Sequence, residues 1–133
     1  MAPKIIYMTN VDRRYFMMRR ALDELIADGE MPASSQVVKT EDGSVWSASW
    51  EEKLRGSALV MIRFMGNTIR TKFWTACMHF LSREGIPYYM DAAGSAEEEC
   101  IERVAPKDIE AMKAYSFYGG LTNYKNLWLY ARS

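Results

Sequence analysis

Apolar residues along this chain fall into two alternating rhythms, short continuous runs and longer stripes at helical spacing. Lys4 to Thr9 (KIIYMT) is short, apolar and rich in β-branched residues, which predicts a buried strand. Asn10-Val11-Asp12 is a polar break, and Asp12 is the expected N-cap of a helix running to about Asp28. Met18, Leu22, Leu25 and Ile26 fall at i, i+4, i+7 and i+8 and form one apolar stripe on that helix; Gly29 is its stop. Ser35 to Thr40 (SQVVKT) predicts a weaker second strand, followed by the turn Glu41-Asp42-Gly43-Ser44. Ser49 and Glu52 have capping-box spacing and predict a short helix over Trp50 to Arg55. Ala58 to Phe64 (ALVMIRF) is the strongest strand signal, apolar almost throughout, as a strand covered on both faces should be.

The second half continues the alternation. A helix is expected from about Thr71 to Glu84, with Trp74, Cys77, Met78 and Leu81 as its stripe and Gly85 as its end. Ile86 to Met90 (IPYYM) predicts a fourth strand, with Pro87 near its start, where a missing N–H is tolerated. Ser95 and Glu98 suggest a helix to about Val104, Pro106 opens another from Lys107 to Ser116, and Thr122 to Ala131 predicts a last one. The order is β-α-β-α-β-α-β-α-α-α. Strands alternating with helices imply a parallel sheet with helices on both faces. With right-handed crossovers the expectation is an α/β, flavodoxin-like doubly wound sheet of about four parallel strands, order 2-1-3-4, with extra C-terminal helices.

Composition narrows the class. At 133 residues and 49% apolar, the chain fits one domain, 1–133, that folds without needing a disulfide or metal. Seventeen basic residues balance seventeen acidic ones, so no nucleic-acid or anionic-membrane partner is expected. The local cluster Arg13, Arg14, Arg19, Arg20 reads first as the solvated face of a helix. Two distant cysteines, Cys77 and Cys100, read as buried free thiols. No run reaches membrane-span length and no signal region is visible, so the expectation is a cytoplasmic protein. Ten methionines read as core filling first and as a docking surface second.

In an open parallel sheet, ligands bind beyond the carboxyl ends of the strands. Those ends offer Thr9, Asn10 and Asp12, then Arg63, Gly66 and Asn67, then Asp91, Gly94 and Ser95. Turns and caps need the same residue types, so turn chemistry is the first reading of this rim and a ligand site the second. A charge near the end of a buried strand needs a partner, and Asp91 is the natural one for Arg63; anion binding is the alternative. Neither a glycine-rich dinucleotide loop, nor GxxxxGK[ST], nor GxSxG occurs. The only histidine is His79, expected on a helix surface or half-buried, and Cys77-x-His79 points its two side chains to different faces. No catalytic pair and no cofactor site stand out.

The most specific stretch is Tyr118-Gly119-Gly120-Leu121-Thr122-Asn123-Tyr124-Lys125-Asn126-Leu127, a YGGxxNxxNL pattern. Its glycines allow a positive φ or close backbone approach, and Asn123 and Asn126 can hydrogen-bond backbone where the last helix opens. The pattern resembles the end of the N-terminal region in large subunits of the cobaltochelatase (CobN-like) and magnesium-chelatase H family. The opening strand KIIYMT, the "LVxxRxxG"-like Leu59 to Gly66 (with Asn67 where a second glycine is common) and the "ERGIP"-like run Glu84 to Pro87 agree in order. The resemblance spans essentially the whole chain.

It implies an N-terminal scaffold or lid domain of a much larger subunit. Such subunits bind a tetrapyrrole and insert cobalt or magnesium as a substrate ion, while separate AAA+ chelatase subunits use the ATP. Contacts to substrate or neighbouring domains would then come from Arg63, Gly66 and Asn67 and from Gly119 to Asn126, with no catalytic residue in this domain. Two other expectations stand beside it: a stand-alone small-molecule-binding or regulatory module of flavodoxin-like fold, and a small enzyme acting at the strand ends through Asp91 or Arg63.

Overall fold

The computed structural model describes residues 4–41, 44–64, 72–90 and 120–132. Their elements in chain order are β1 (Ile5–Thr9), α1 (Asp12–Ala27), β2 (Gln36–Lys39), α2 (Ala48–Leu54), β3 (Leu59–Arg63), α3 (Lys72–Arg83), β4 (Tyr88–Met90) and α4 (Leu121–Arg132). The architecture is mixed α/β with a parallel sheet. β1 pairs in parallel with β2 on one side and β3 on the other; three residues of β4 continue from β3, giving the order β2-β1-β3-β4. The two helices expected between Ser95 and Ser116 lie outside the described residues.

The period-2 alternation of β1 and β3 builds two cores at once. Ile5, Tyr7, Leu59 and Met61 point to one face, where α1 and α4 cover them with Met18, Leu22, Leu25, Leu127 and Trp128. Ile6, Met8, Val60 and Ile62 point to the other, against Leu54 of α2 and Phe73, Trp74, Cys77, Phe80 and Leu81 of α3. All five residues of β1 are therefore buried, which explains why its sequence reads as a continuous apolar run. The face under α2 and α3 is unusually aromatic: Phe73 meets Trp46, Trp50 and Phe64 edge-on, with ring centroids 5.1–6.3 Å apart. Gly29 and Gly85 follow α1 and α3 at φ 74° and 71°, the left-handed conformation that ends a helix at low cost only for glycine.

Three local expectations are corrected. Asp12 does not cap α1; it is the helix's first residue, Val11 is the N-cap, and the Asp12 carboxylate turns to Lys39 instead. The Thr9 hydroxyl takes over the loop, accepting the Val11 N–H at 3.0 Å. Ser49 does not cap α2 either. The helix begins two residues earlier than expected for that role, at Ala48, after an N-cap Ser47 whose side chain makes no capping bond; Glu51 accepts from the Trp46 indole at 3.0 Å. Arg14 leaves the solvated face: it is buried, with its guanidinium 5.5 Å from the Tyr124 ring centroid, because α4 lies over that side of α1. Arg13, Arg19 and Arg20 are exposed as expected.

Candidate site at the carboxyl edge of the sheet

Pairing register brings the sequence-predicted residues of the first and third strands together. Thr9 lies opposite Arg63 on one side and Lys39 on the other. Thr9 is fully buried, and its hydroxyl donates to the Arg63 carbonyl at 2.6 Å while accepting from Val11 N–H. Both capacities of this hydroxyl are thus used in fixing the turn out of β1 against the end of β3. Asn10 and Arg63 are half-buried beside it. The edge is a tied, polar corner rather than a row of loose turn residues.

Lys39 is the contribution that sequence reasoning missed. It stands at the end of β2, only 23% of its side chain exposed, and its ammonium bonds Asp12 and approaches Glu41 at 3.5 Å. The hydrogen bond to Asp12 and the charges of Asp12 and Glu41 outweigh partial burial and hold the Lys39 ammonium above its usual pKa. Its ammonium is also 5.9 Å from the Tyr15 ring centroid. The signal was available: once β1 and β2 pair in parallel, the residue after Val38 must end level with Thr9. Thr40, buried next to it, donates its N–H to Thr9 O at 2.9 Å, while its hydroxyl has no hydrogen-bond partner.

The Gly120–Asn126 segment sits elsewhere, on the α1 side of the sheet. Gly120 is exposed, has open space where a Cβ would stand and is not among the positive-φ glycines, so the expected conformational role of the glycine pair does not hold at Gly120. Its work is to open α4: its carbonyl accepts the N–H groups of Asn123 and Tyr124. Asn123 is half-buried and Asn126 exposed. What fixes the helix is Trp128, whose Nε1 donates to Met18 O at 3.0 Å, with Lys125 bonding Glu24 at 2.8 Å and Arg132 bonding Glu30 O at 2.6 Å. The Lys125 hydrogen bond is the first cause holding the Glu24 carboxyl below its usual range.

Gly66, Asn67, Asp91, Gly94, Ser95 and Gly119 lie outside the described residues, and with Asp91 the expected partner of Arg63. His79 is exposed on α3, and Cys77 is buried in the core, where desolvation pushes its thiol up to about 12. Among the described residues, no three His, Cys, Asp or Glu side chains are grouped to hold a metal ion. No described helix is long and apolar enough to cross a membrane. Chemically, the corner gathers at one sheet edge the Thr9 hydroxyl engaged in the turn, the Lys39 ammonium paired with Asp12 and Glu41, and Arg63. No family model and no curated protein sequence matches the chain.

Proposed function

We propose that this chain is the N-terminal scaffold or lid domain of the large subunit of an ATP-dependent metal chelatase, of the kind that inserts cobalt or magnesium into a tetrapyrrole in cobalamin or related biosynthesis. The observation that carries the reading is where its resembling motifs fall. Arg63 closes β3 at the polar corner, Glu84 to Pro87 carries α3 into β4, and Gly120 to Leu127 opens the helix whose Leu127 and Trp128 enter the core. Each motif falls at a boundary between elements, and the Arg63 motif falls at the carboxyl edge of the parallel sheet, where such folds place their ligand-facing loops.

In this reading the metal ion is substrate, and ATP is used by AAA+ partner subunits in the cytoplasm. Arg63 supplies a charge-assisted donor to a propionate or amide on the macrocycle rim. Thr9 and Asn10 hold the corner rigid beneath it. The outward-facing Asn126 and the segment before α4 contact the subunit's later domains. The test compares the full-length subunit with the isolated 133-residue chain. The full-length protein, given its AAA+ partners and ATP, inserts metal; the isolated chain neither hydrolyses ATP nor inserts metal. A natural stop codon directly after Ser133, or metal insertion by the isolated chain, would overturn the reading.

A second reading draws on the same corner. Thr9, Asn10, Lys39 and Arg63 converge at one sheet edge, which also suits a stand-alone small-molecule-binding or regulatory module. That reading requires saturable uptake of a small anion by the isolated chain.

A further inference from the structure

The outer face of α1 carries charge where a helix least favours it. Arg13 and Arg14 stand in the first turn beside the favourably placed Asp12, whereas the last turn has no basic residue. The partial positive charge at a helix N-terminus works against cations there. Arg14 escapes inward to Tyr124, but Arg13, Arg19 and Arg20 remain exposed. Among them Phe16 is 65% exposed. Arg13, Phe16 and Arg20 sit at i, i+3 and i+7, so they form one stripe roughly 10 Å long at 1.5 Å per residue.

Phe16 and the neighbouring Arg19 are held in place. The Tyr15 ring meets Phe16 edge-on at 5.5 Å, and the Tyr15 hydroxyl accepts a hydrogen bond from Arg19 Nη1 at 3.0 Å. Lys39 approaches the same ring from the strand edge. An aromatic anchor fixed among guanidinium groups is what protein interfaces concentrate at their centres.

We propose that this stripe docks a short acidic segment of another polypeptide, its carboxylates facing Arg13, Arg19 and Arg20 and an apolar side chain covering Phe16. Planar guanidinium groups pair carboxylates in bidentate fashion, and Arg20 makes only a loose 3.5 Å contact with Glu24 across open solvent. The flanks choose between polyanions and a peptide. Exposed Asp23 follows the stripe, and Asp12 at its start is turned to Lys39, so a continuous phosphate backbone or an anionic lipid surface would meet like charge at the Asp23 end. A few acidic residues around one apolar side chain stop short of Asp23. The inference stands whether or not the chain belongs to a chelatase subunit, since it rests on α1 and the neighbouring Lys39.

A photo-cross-linking amino acid in place of Phe16, in the full-length protein within its own cells, tests this. The expected adduct is a polypeptide segment with carboxylates on both sides of the attachment point. A synthetic peptide of that segment then binds the purified protein more weakly as salt rises. Combined R13E and R20E weaken that binding at least about tenfold, as does Phe16→Ser, whereas Lys53→Glu on α2 leaves it unchanged. Circular dichroism of each variant confirms its fold, since all four positions are exposed. Adducts with lipid, nucleic acid or a second copy of this chain overturn the proposal. So do a segment without carboxylates, a yield no higher than with the probe at exposed Val45, and undiminished binding by the R13E/R20E protein.

Discussion

Replacing Trp128 by phenylalanine measures how firmly the last helix is joined to the sheet. The indole is fully buried, its ring centroid lies 6.3 Å from that of Tyr7, and its N–H donates to Met18 O at 3.0 Å. Phenylalanine keeps an aromatic ring against Tyr7 but loses the donor and part of the volume. The lost buried hydrogen bond costs about 1 kcal/mol, because the Met18 carbonyl keeps the N–H that an interior helical carbonyl normally accepts. The missing volume of roughly 40 Å³, left as an uncollapsed cavity, costs about another 1 kcal/mol. Trp128→Phe should therefore destabilise by about 2 kcal/mol and Trp128→Ala by about 3–5 kcal/mol. Urea unfolding followed by far-ultraviolet circular dichroism should show the phenylalanine midpoint falling by about 1 M at an unchanged slope of about 2 kcal/mol/M. A midpoint shift below about 0.2 M would refute the reasoning, since it would mean that α4 contributes little to the cooperative core.

Other outcomes follow from the same contacts. Cys77, pushed up to about 12 by burial, should resist alkylation in the native protein at pH 8 and react rapidly in urea, as read by mass spectrometry of its peptide. Thr40→Val removes a buried hydroxyl without a partner and should be neutral or stabilise by up to about 1 kcal/mol in urea titrations. Ser49→Ala should change stability by less than about 0.5 kcal/mol, because Ser49 is exposed and caps nothing. The Glu24 carboxyl is held below its ordinary 4.5, so its ion pair with Lys125 contributes stability fully above that value and loses it as pH falls through the lowered folded-state value. The difference in melting temperature between the native protein and Glu24→Gln should accordingly be largest near neutral pH and vanish in acid.

β1 and β3 were legible because burial on both faces leaves an unambiguous apolar run, and α1 and α3 because Gly29 and Gly85 stop them at positive φ. The caps were not. Asp12 and Ser49 have the right residue type and spacing, but a carboxylate beside a strand end finds Lys39 across the sheet, a tertiary partner that no local pattern reveals. Arg14 was misread for the same reason. Its inward path exists only because α4, more than a hundred residues later, supplies the Tyr124 ring. At the candidate site, Thr9 and Arg63 were visible as strand ends, yet their hydrogen bond and the arrival of Lys39 follow from register, which appears only when strands pair. Gly120 shows the converse: a glycine pair in a motif suggested special backbone geometry, and the structure gives Gly120 an ordinary helix-opening role.

The most direct test of the proposed function is a titration of the full-length protein with a corrin precursor and with protoporphyrin, each in the presence of AAA+ chelatase subunits, ATP and cobalt or magnesium, followed by absorbance of the metallated product. The account predicts saturable binding of one of these tetrapyrroles and ATP-dependent insertion of one of the two metals, with Arg63→Gln raising the half-saturating tetrapyrrole concentration several-fold at little change in maximal rate. Neither binding nor insertion with any of the four combinations would contradict it.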